Sequence, residues 1–177
     1  MSVNKSSILK TKHEYLKKVP LFTGLNDAQL KRMTAAMTVL EFEAGRYIMR
    51  EGDSSSEIYI LLKGEVEISK SLVLPQWIQT VPKQEKALIR LSEKHHPFFG
   101  EMSMFGKDST RDASILAVKN CQMACLQKGA LLKETARDPE VGTIIYYNIA
   151  TELTKRLRKA NKDILKLTTA FSLALEG

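Results

Sequence analysis

The sequence predicts a mainly β domain with flanking helices, an α+β arrangement in which a two-sheet sandwich or roll is followed by a long C-terminal helix. Three observations carry that reading. Near Thr38 the hydrophobic period changes from helical spacing to short apolar runs punctuated by Gly45, Gly52 and Gly64. From Pro139 a helical period returns and runs almost to the last residue. Between these regions, Phe98 to Ala117 contains no regular apolar period until Ser114, and instead collects Gly, Glu, Ser and Arg.

Residues 1–37 form the first helical segment. A Lys/Ser-rich start leads into a short basic helix, and Pro20 and Gly24 then break helix on either side of Leu21-Phe22. Asn26 is placed to cap a helix from Asp27 to Met37, with Gln29 at the capping-box position and Leu30, Met33 and Met37 on one face. Residues 38–128 form the β region. Val39 to Phe42, Arg46 to Met49, Glu57 to Leu62, Glu65 to Ser69 and Ala87 to Leu91 read as strands, and Ile115 to Leu126 is strand-rich. The intervening stretch 70–86 is longer than an ordinary hairpin, and Pro75 and Pro82 exclude it from the middle of a sheet. Its single Trp77 reads as a local packing anchor.

Residues 129–177 form the C-terminal helices. A short one follows Gly129 and stops near Asp138-Pro139, where Pro139 suits a first helical turn and Asp138 its cap. The last helix is predicted from Glu140 to about Leu175. Its apolar positions Ile145, Ile149, Leu153, Leu157, Ala160, Ile164, Leu167, Phe171 and Ala174 alternate steps of four and three from Leu153 onward, which is a heptad seam. A roll can cover only the first turns of so long a helix, so the later turns are expected to pair with a second copy or to meet another helix.

Composition narrows the function. With 44% apolar and 27% charged residues, the chain of 177 residues is an ordinary globular one. No apolar run reaches the length of a membrane span, and Met1 to Leu16 lacks the apolar core of a secretory signal, so a cytoplasmic protein is expected. Cys121 and Cys125 read as free buried thiols, and no His or Cys pair completes a metal site around them or around His95-His96. Walker, nucleophile-elbow and His-Glu-x-x-His motifs are absent, so a binding role is expected over an enzymatic one. The net charge of +7 sits largely in Lys5–Lys18 and Lys155–Lys166, without the interleaved aromatics that would stack on bases.

The chemistry of Phe98 to Ala117 suits a small ligand bearing both a phosphate and a sugar. Gly100 allows close backbone approach, the amides at Met102 to Phe105 favour an anion, and Arg111 offers a planar fork of donors. Glu101 is acceptor-only when ionised and suits sugar hydroxyls. Together, Phe-Gly-Glu-Met-Ser and Arg-Asp-Ala-Ser, with ten residues from Glu101 to Arg111, resemble the phosphate-binding cassette of the cyclic-nucleotide-binding domain family. Pro20-Leu21-Phe22, the Gly45, Gly52-Asp53 and Lys63-Gly64 turns, and Arg156-Leu157 extend the resemblance over roughly Val19 to Leu167, closest to the catabolite-activator branch.

That resemblance implies a double-stranded β-roll, or jelly roll, and a regulatory module that binds cAMP or cGMP and signals through its C-terminal helix, as a homodimer with an unspecified downstream protein. No other cofactor and no metal are implied. The cassette residues Phe99, Gly100, Glu101, Met102, Ser103, Arg111, Asp112 and Ala113 would hold the ligand, Glu101 at the ribose 2′-hydroxyl and Arg111 at the phosphate, while Asn161 would lie near the base. The chain ends at Gly177 without the helix-turn-helix of those regulators, so specific DNA reading is not expected. Asp112 departs from the usual small residue after the arginine. A carboxylate about 4 Å from a phosphate costs roughly 1 kcal/mol in water-like surroundings and about 4 at an effective dielectric of about 20. An alternative therefore stays open: a degenerate member of the fold that serves as a protein-interaction or dimerisation domain and binds no nucleotide, or a different anion.

Overall fold

The computed structural model describes residues 5–71, 85–105 and 109–176. Trp77, Pro75 and Pro82 lie outside the described residues, as do positions 106–108 within the cassette. Helices α1 (Lys5–Thr11), α2 (His13–Leu16) and α3 (Asp27–Ala35) come first, with a 3-10 turn at Pro20–Phe22 between α2 and α3. Among the described residues eight strands follow: β1 (Thr38–Phe42), β2 (Tyr47–Met49), β3 (Glu57–Lys63), β4 (Glu65–Ser71), β5 (Glu85–Ser92), β6 (Phe98–Phe99), β7 (Ser114–Ala117) and β8 (Cys121–Gln127). The short α4 (Met102–Phe105) lies between β6 and β7, and α5 (Lys128–Arg137) and α6 (Pro139–Glu176) close the chain.

The strands form two antiparallel four-stranded sheets, ordered β1-β8-β3-β6 and β2-β7-β4-β5. This is the β-roll expected from the sequence. Strand side chains alternate between faces, and here that alternation builds two cores at once. Ile58, Ile60 and Leu62 of β3, Ala124 and Leu126 of β8, and Phe98 of β6 pack against the helices. Leu61, Met123 and Phe99, each one residue out of phase, pack between the sheets with Ile48, Val66 and Ile115. The aromatic pair Phe98-Phe99 is therefore shared between the two cores, which fixes the start of the cassette from both sides.

The helices are anchored by specific polar contacts. Asn26 and Gln29 form the expected capping box of α3, with Oδ1 of Asn26 accepting from the Gln29 amide at 2.9 Å and Oε1 of Gln29 accepting from the Asn26 amide at 3.0 Å. Arg32 of α3 pairs with Asp138 at the α5–α6 junction. Asn148 of α6 donates to the carbonyls of Leu21 and Thr23 at 3.0 and 2.8 Å. Val141, Ile145 and Ile149 are buried in the core that the first sheet shares with the helices, whereas the large apolar side chains from Leu157 onward are exposed. Its 38 residues reach about 57 Å at 1.5 Å per residue. Among the described residues no helix is long and apolar enough to cross a membrane.

Leu126 is fully buried where β8 meets the helices. Leu126→Ala is expected to lower the unfolding free energy by about 2–5 kcal/mol, read from urea denaturation, because the backbone of a central strand cannot collapse into the cavity.

Candidate ligand site between the roll and the long helix

The position of Arg111 is set by its backbone before its side chain. Its amide donates to the Asp53 carbonyl at 2.9 Å, and its own carbonyl accepts from the Gly52 amide at 2.9 Å, beside a bridge between Ser54 and Thr110. The Gly52-Asp53 turn, which the sequence indicated only as a shaper of the roll, thus holds the arginine in place. The side chain is 3% exposed and surrounded by acceptors. Nε donates to Ser55 Oγ at 2.6 Å and Nη2 to Glu57 Oε2 at 2.9 Å. Nη1 meets the carbonyls of Glu57 and Gly100 at 2.9 and 3.0 Å and Ser103 Oγ at 2.9 Å. These contacts occupy all but one of the five guanidinium N–H groups, leaving one on Nη2.

Gly100 is required in this packing. Its φ of +89° lies in the left-handed region, and a Cβ there would fall 2.5 Å from both Arg111 Nη1 and the Glu57 carbonyl oxygen. The chain can therefore pass directly over the guanidinium only without a side chain. Ser103, in the first turn of α4, completes the loop by donating from Oγ to the Gly100 carbonyl at 3.0 Å.

Glu101 is 1% exposed. Oε1 accepts from Arg156 Nη1 of α6 at 2.7 Å, and Arg156 Nη2 donates to the Phe98 carbonyl at 2.9 Å. The second oxygen, Oε2, is buried and has no hydrogen-bond partner among the described residues. Burial pushes the Glu101 carboxyl above its ordinary range, and the nearby Arg156 only partly opposes the shift. An unpartnered carboxylate oxygen in such a place costs roughly 1–3 kcal/mol or more. It is an acceptor awaiting a donor.

Glu101 and Arg111 open onto a cavity of about 720 Å³ between the cassette, the second sheet and α6. Phe99, Gly100, Glu101, Met102, Ser103, Arg111, Asp112 and Ala113 all contribute to its wall. Leu88 and Ile89 of β5 line it while remaining 58% and 41% exposed, an apolar surface of the kind a planar ring could cover. From α6 come Glu152, Lys155, Arg156, Lys159, Ala160 and Asp163. Asn161, expected near a base, is exposed and is not part of the wall. At about 100° per residue it sits about 180° around the helix from Glu152, on the opposite face. His95 and His96 are part of the cavity wall, where His95 Nδ1 accepts from the Ser92 amide at 3.2 Å and the His96 ring lies 4.5 Å from that of Tyr15, tilted by 32°. No group of three or more metal-ligating side chains occurs among the described residues.

Arg156, Glu57 and Ser55 were not anticipated as site residues. The helical period does carry a signal for Arg156, a cation beside the seam and one turn before Ala160. Glu57 and Ser55 carry none, since their role comes from the folding of β3 against the cassette.

The sequence profile described as cyclic nucleotide-binding domain matches residues 39–138, more than half of the chain. The chain belongs to the cyclic nucleotide-binding domain family. Its sequence is 28% identical over 173 residues to human cGMP-dependent protein kinase 2, a match covering 91% of this chain and 20% of the kinase. The chain therefore spans a small part of that relative. Its fold is similar to that of the catabolite activator protein of Thermus thermophilus, with a TM-score of 0.69 and 26% identity, covering 84% of this chain and 63% of the other. A cyclic nucleotide-binding domain from Methylobacillus flagellatus has the same fold, with a TM-score of 0.73 at 23% identity over 90% of this chain and 84% of the other.

The raised Glu101 carboxyl has a defined consequence for stability. Between the ordinary carboxylate range and its raised value the folded state retains a proton that the unfolded state has lost, so stability falls as pH rises through that window. Replacing Glu101 by Gln removes this contribution. Subtracting the unfolding free energy of Glu101→Gln from that of the wild type, measured from about pH 4 to 7, is expected to give a difference that declines with increasing pH.

Proposed function

We propose that this domain is a regulatory module that takes a cyclic nucleotide, cAMP or cGMP, into the cavity between roll and α6 and passes on its occupancy through that helix. The observation that carries this reading is the buried, partnerless Oε2 of Glu101 beside the guanidinium of Arg111. An acceptor suited to a hydroxyl and a cation suited to a phosphate stand on one short loop, at the two ends of a ten-residue step. In this reading a ribose hydroxyl donates to Glu101, the free Nη2 N–H of Arg111 and the cassette amides meet the cyclic phosphate, and the purine lies against Leu88 and Ile89. The helix responds because Arg156 shares Glu101 with the ligand, so that binding favours one placement of α6 over another. In this reading the role is one of binding: the Ser55 and Ser103 hydroxyls beside Arg111 accept from its guanidinium, and neither has a general base among its described hydrogen-bond partners.

The same helix supplies the assembly. Leu157, Ile164, Leu167 and Phe171 of the heptad seam are 60–71% exposed, and a second copy would cover them in a homodimer. The basic residues Arg158, Lys159, Lys162 and Lys166 fall outside the seam and its immediate flanks, so two such helices can pair without setting like charges together. In this reading a separate downstream protein reads the dimer.

Calorimetric titration with cAMP and with cGMP tests the ligand. Saturable heat is expected, with Arg111→Ala weakening binding on the order of 100-fold, the magnitude of a lost charge-assisted phosphate contact. A folded protein showing neither heat nor thermal shift at millimolar nucleotide instead supports the domain that keeps the fold and takes no nucleotide. Sedimentation velocity tests the assembly: the wild type is expected to run as a dimer, and the double substitution Ile164→Glu with Phe171→Glu as a monomer that retains its thermal unfolding transition.

A further inference from the structure

Among the described residues, the charges around the cavity are paired, with the exception of Asp112. Arg111 is paired with Glu57 at 2.9 Å and Arg156 with Glu101 at 2.7 Å. Lys155 lies 3.5 Å from Glu152, and Lys159 lies 3.3 Å from Asp163. Among the described residues, each cation that α6 or the cassette contributes to the cavity wall therefore already lies within ion-pair distance of a carboxylate, Glu152 also lying 3.7 Å from Arg156. Asp112 is the remainder. It is exposed, belongs to the cavity wall beside Arg111 and Ala113, and makes no ion pair or hydrogen bond among the described residues. Among the described residues, the four cations of the wall stand against five carboxylates, their partners Glu57, Glu101, Glu152 and Asp163 and the unpaired Asp112, and the unmatched charge is next to the arginine in sequence.

We propose that Asp112 makes this site a charge filter that admits a nucleotide whose phosphate carries one negative charge and turns away one whose phosphate carries two. This inference rests on the cyclic-nucleotide reading of the cavity. A cyclic phosphodiester is a monoanion at neutral pH, and the single remaining Nη2 N–H of Arg111 together with the cassette amides can neutralise it. A terminal phosphomonoester has a second pKa near 6 and is close to a dianion at neutral pH. Its additional charge finds no unpaired cation among the described residues and meets the Asp112 carboxylate instead. One further unit of charge at about 6 Å, across an effective dielectric of about 40, lowers affinity about tenfold. Cyclic and linear nucleotides of the same base share the base edge and the ribose 2′-hydroxyl and differ at the phosphate end, where the linear form is open, has a free 3′-hydroxyl and carries nearly one more negative charge, so a fixed carboxylate beside the phosphate acts on that difference in charge. Asp112 is thus a specificity determinant. A small neutral residue at this position would leave the phosphate end neutral overall and the filter weaker.

The test compares the full chain with its Asp112→Asn variant, which keeps the shape and removes the charge. Dissociation constants are measured for cAMP, cGMP, 5′-AMP and 5′-GMP by calorimetry in about 50 mM salt, where screening is moderate. The ratio of linear to cyclic dissociation constants is expected to fall about tenfold in the variant, chiefly through tighter binding of the linear nucleotides, and the difference between the proteins is expected to shrink as salt is raised. A ratio that stays within about twofold of the wild-type value overturns the filter while leaving the cyclic-nucleotide reading intact. If the wild type binds no nucleotide and the variant binds cAMP or cGMP, the carboxylate closes the site altogether, which overturns the filter and favours the domain without a nucleotide. If neither protein binds either cyclic nucleotide, the cyclic-nucleotide reading itself falls, and the filter falls with it.

Discussion

The buried guanidinium of Arg111 is the constraint around which the cassette is arranged. A charge that is 3% exposed must be surrounded by acceptors, and here they come from four residues on two stretches of chain, Ser55 and Glu57 on one and Gly100 and Ser103 on the other. Each is held by something else. Ser55 belongs to the turn that also bonds the Arg111 backbone, Glu57 opens β3, Gly100 follows an aromatic pair buried in both cores, and Ser103 begins α4. Removing any one acceptor leaves the buried cation less well satisfied, so the loop is ordered by the arginine as much as the arginine is by the loop.

A second link carries this order to α6. Arg156 bonds Glu101 and the Phe98 carbonyl, so the helix is tied to the first residues of the cassette. N-terminal to this contact, Val141, Ile145 and Ile149 hold the helix against the first sheet and its helical layer. C-terminal to it, Leu157, Ile164, Leu167 and Phe171 are exposed. Arg156 therefore stands at the boundary between the part of α6 fixed by the roll and the part that is not. Glu101 sits at the same boundary with one oxygen bonded and one left over, and a change at that carboxylate reaches both the loop and the helix.

Much of the fold was legible in the sequence because its elements are marked locally. Glycine and proline punctuate the strands, Asn26 and Gln29 announce α3, Asp138-Pro139 separates α5 from α6, and the four-three steps trace the long helix nearly to its observed end. The division of β3 and β8 between two cores was less visible. Ile58, Tyr59, Ile60, Leu61 and Leu62 read as one continuous apolar run, since a strand buried on both faces shows little alternation. The misplacement of Asn161 has a similar origin. A position inferred from spacing after Arg156-Leu157 ignores the phase of the helix, and that phase is set by packing much earlier, at Ile145 and Ile149.

The sequence by itself determined the kind of domain and the loop that matters in it: a roll, a long helix, and a cassette in which Gly100, Glu101 and Arg111 stand at family spacing. Those features depend on residue type and order, which local chemistry can interpret. The tertiary structure alone decided which charges are already matched. That Glu57 neutralises Arg111, that Arg156 takes one oxygen of Glu101 and leaves the other, and that Asp112 faces the cavity without a described partner are consequences of segments far apart in sequence meeting at one place. Electrostatic balance depends on distances and burial, and those exist only once the roll has closed and α6 lies across it.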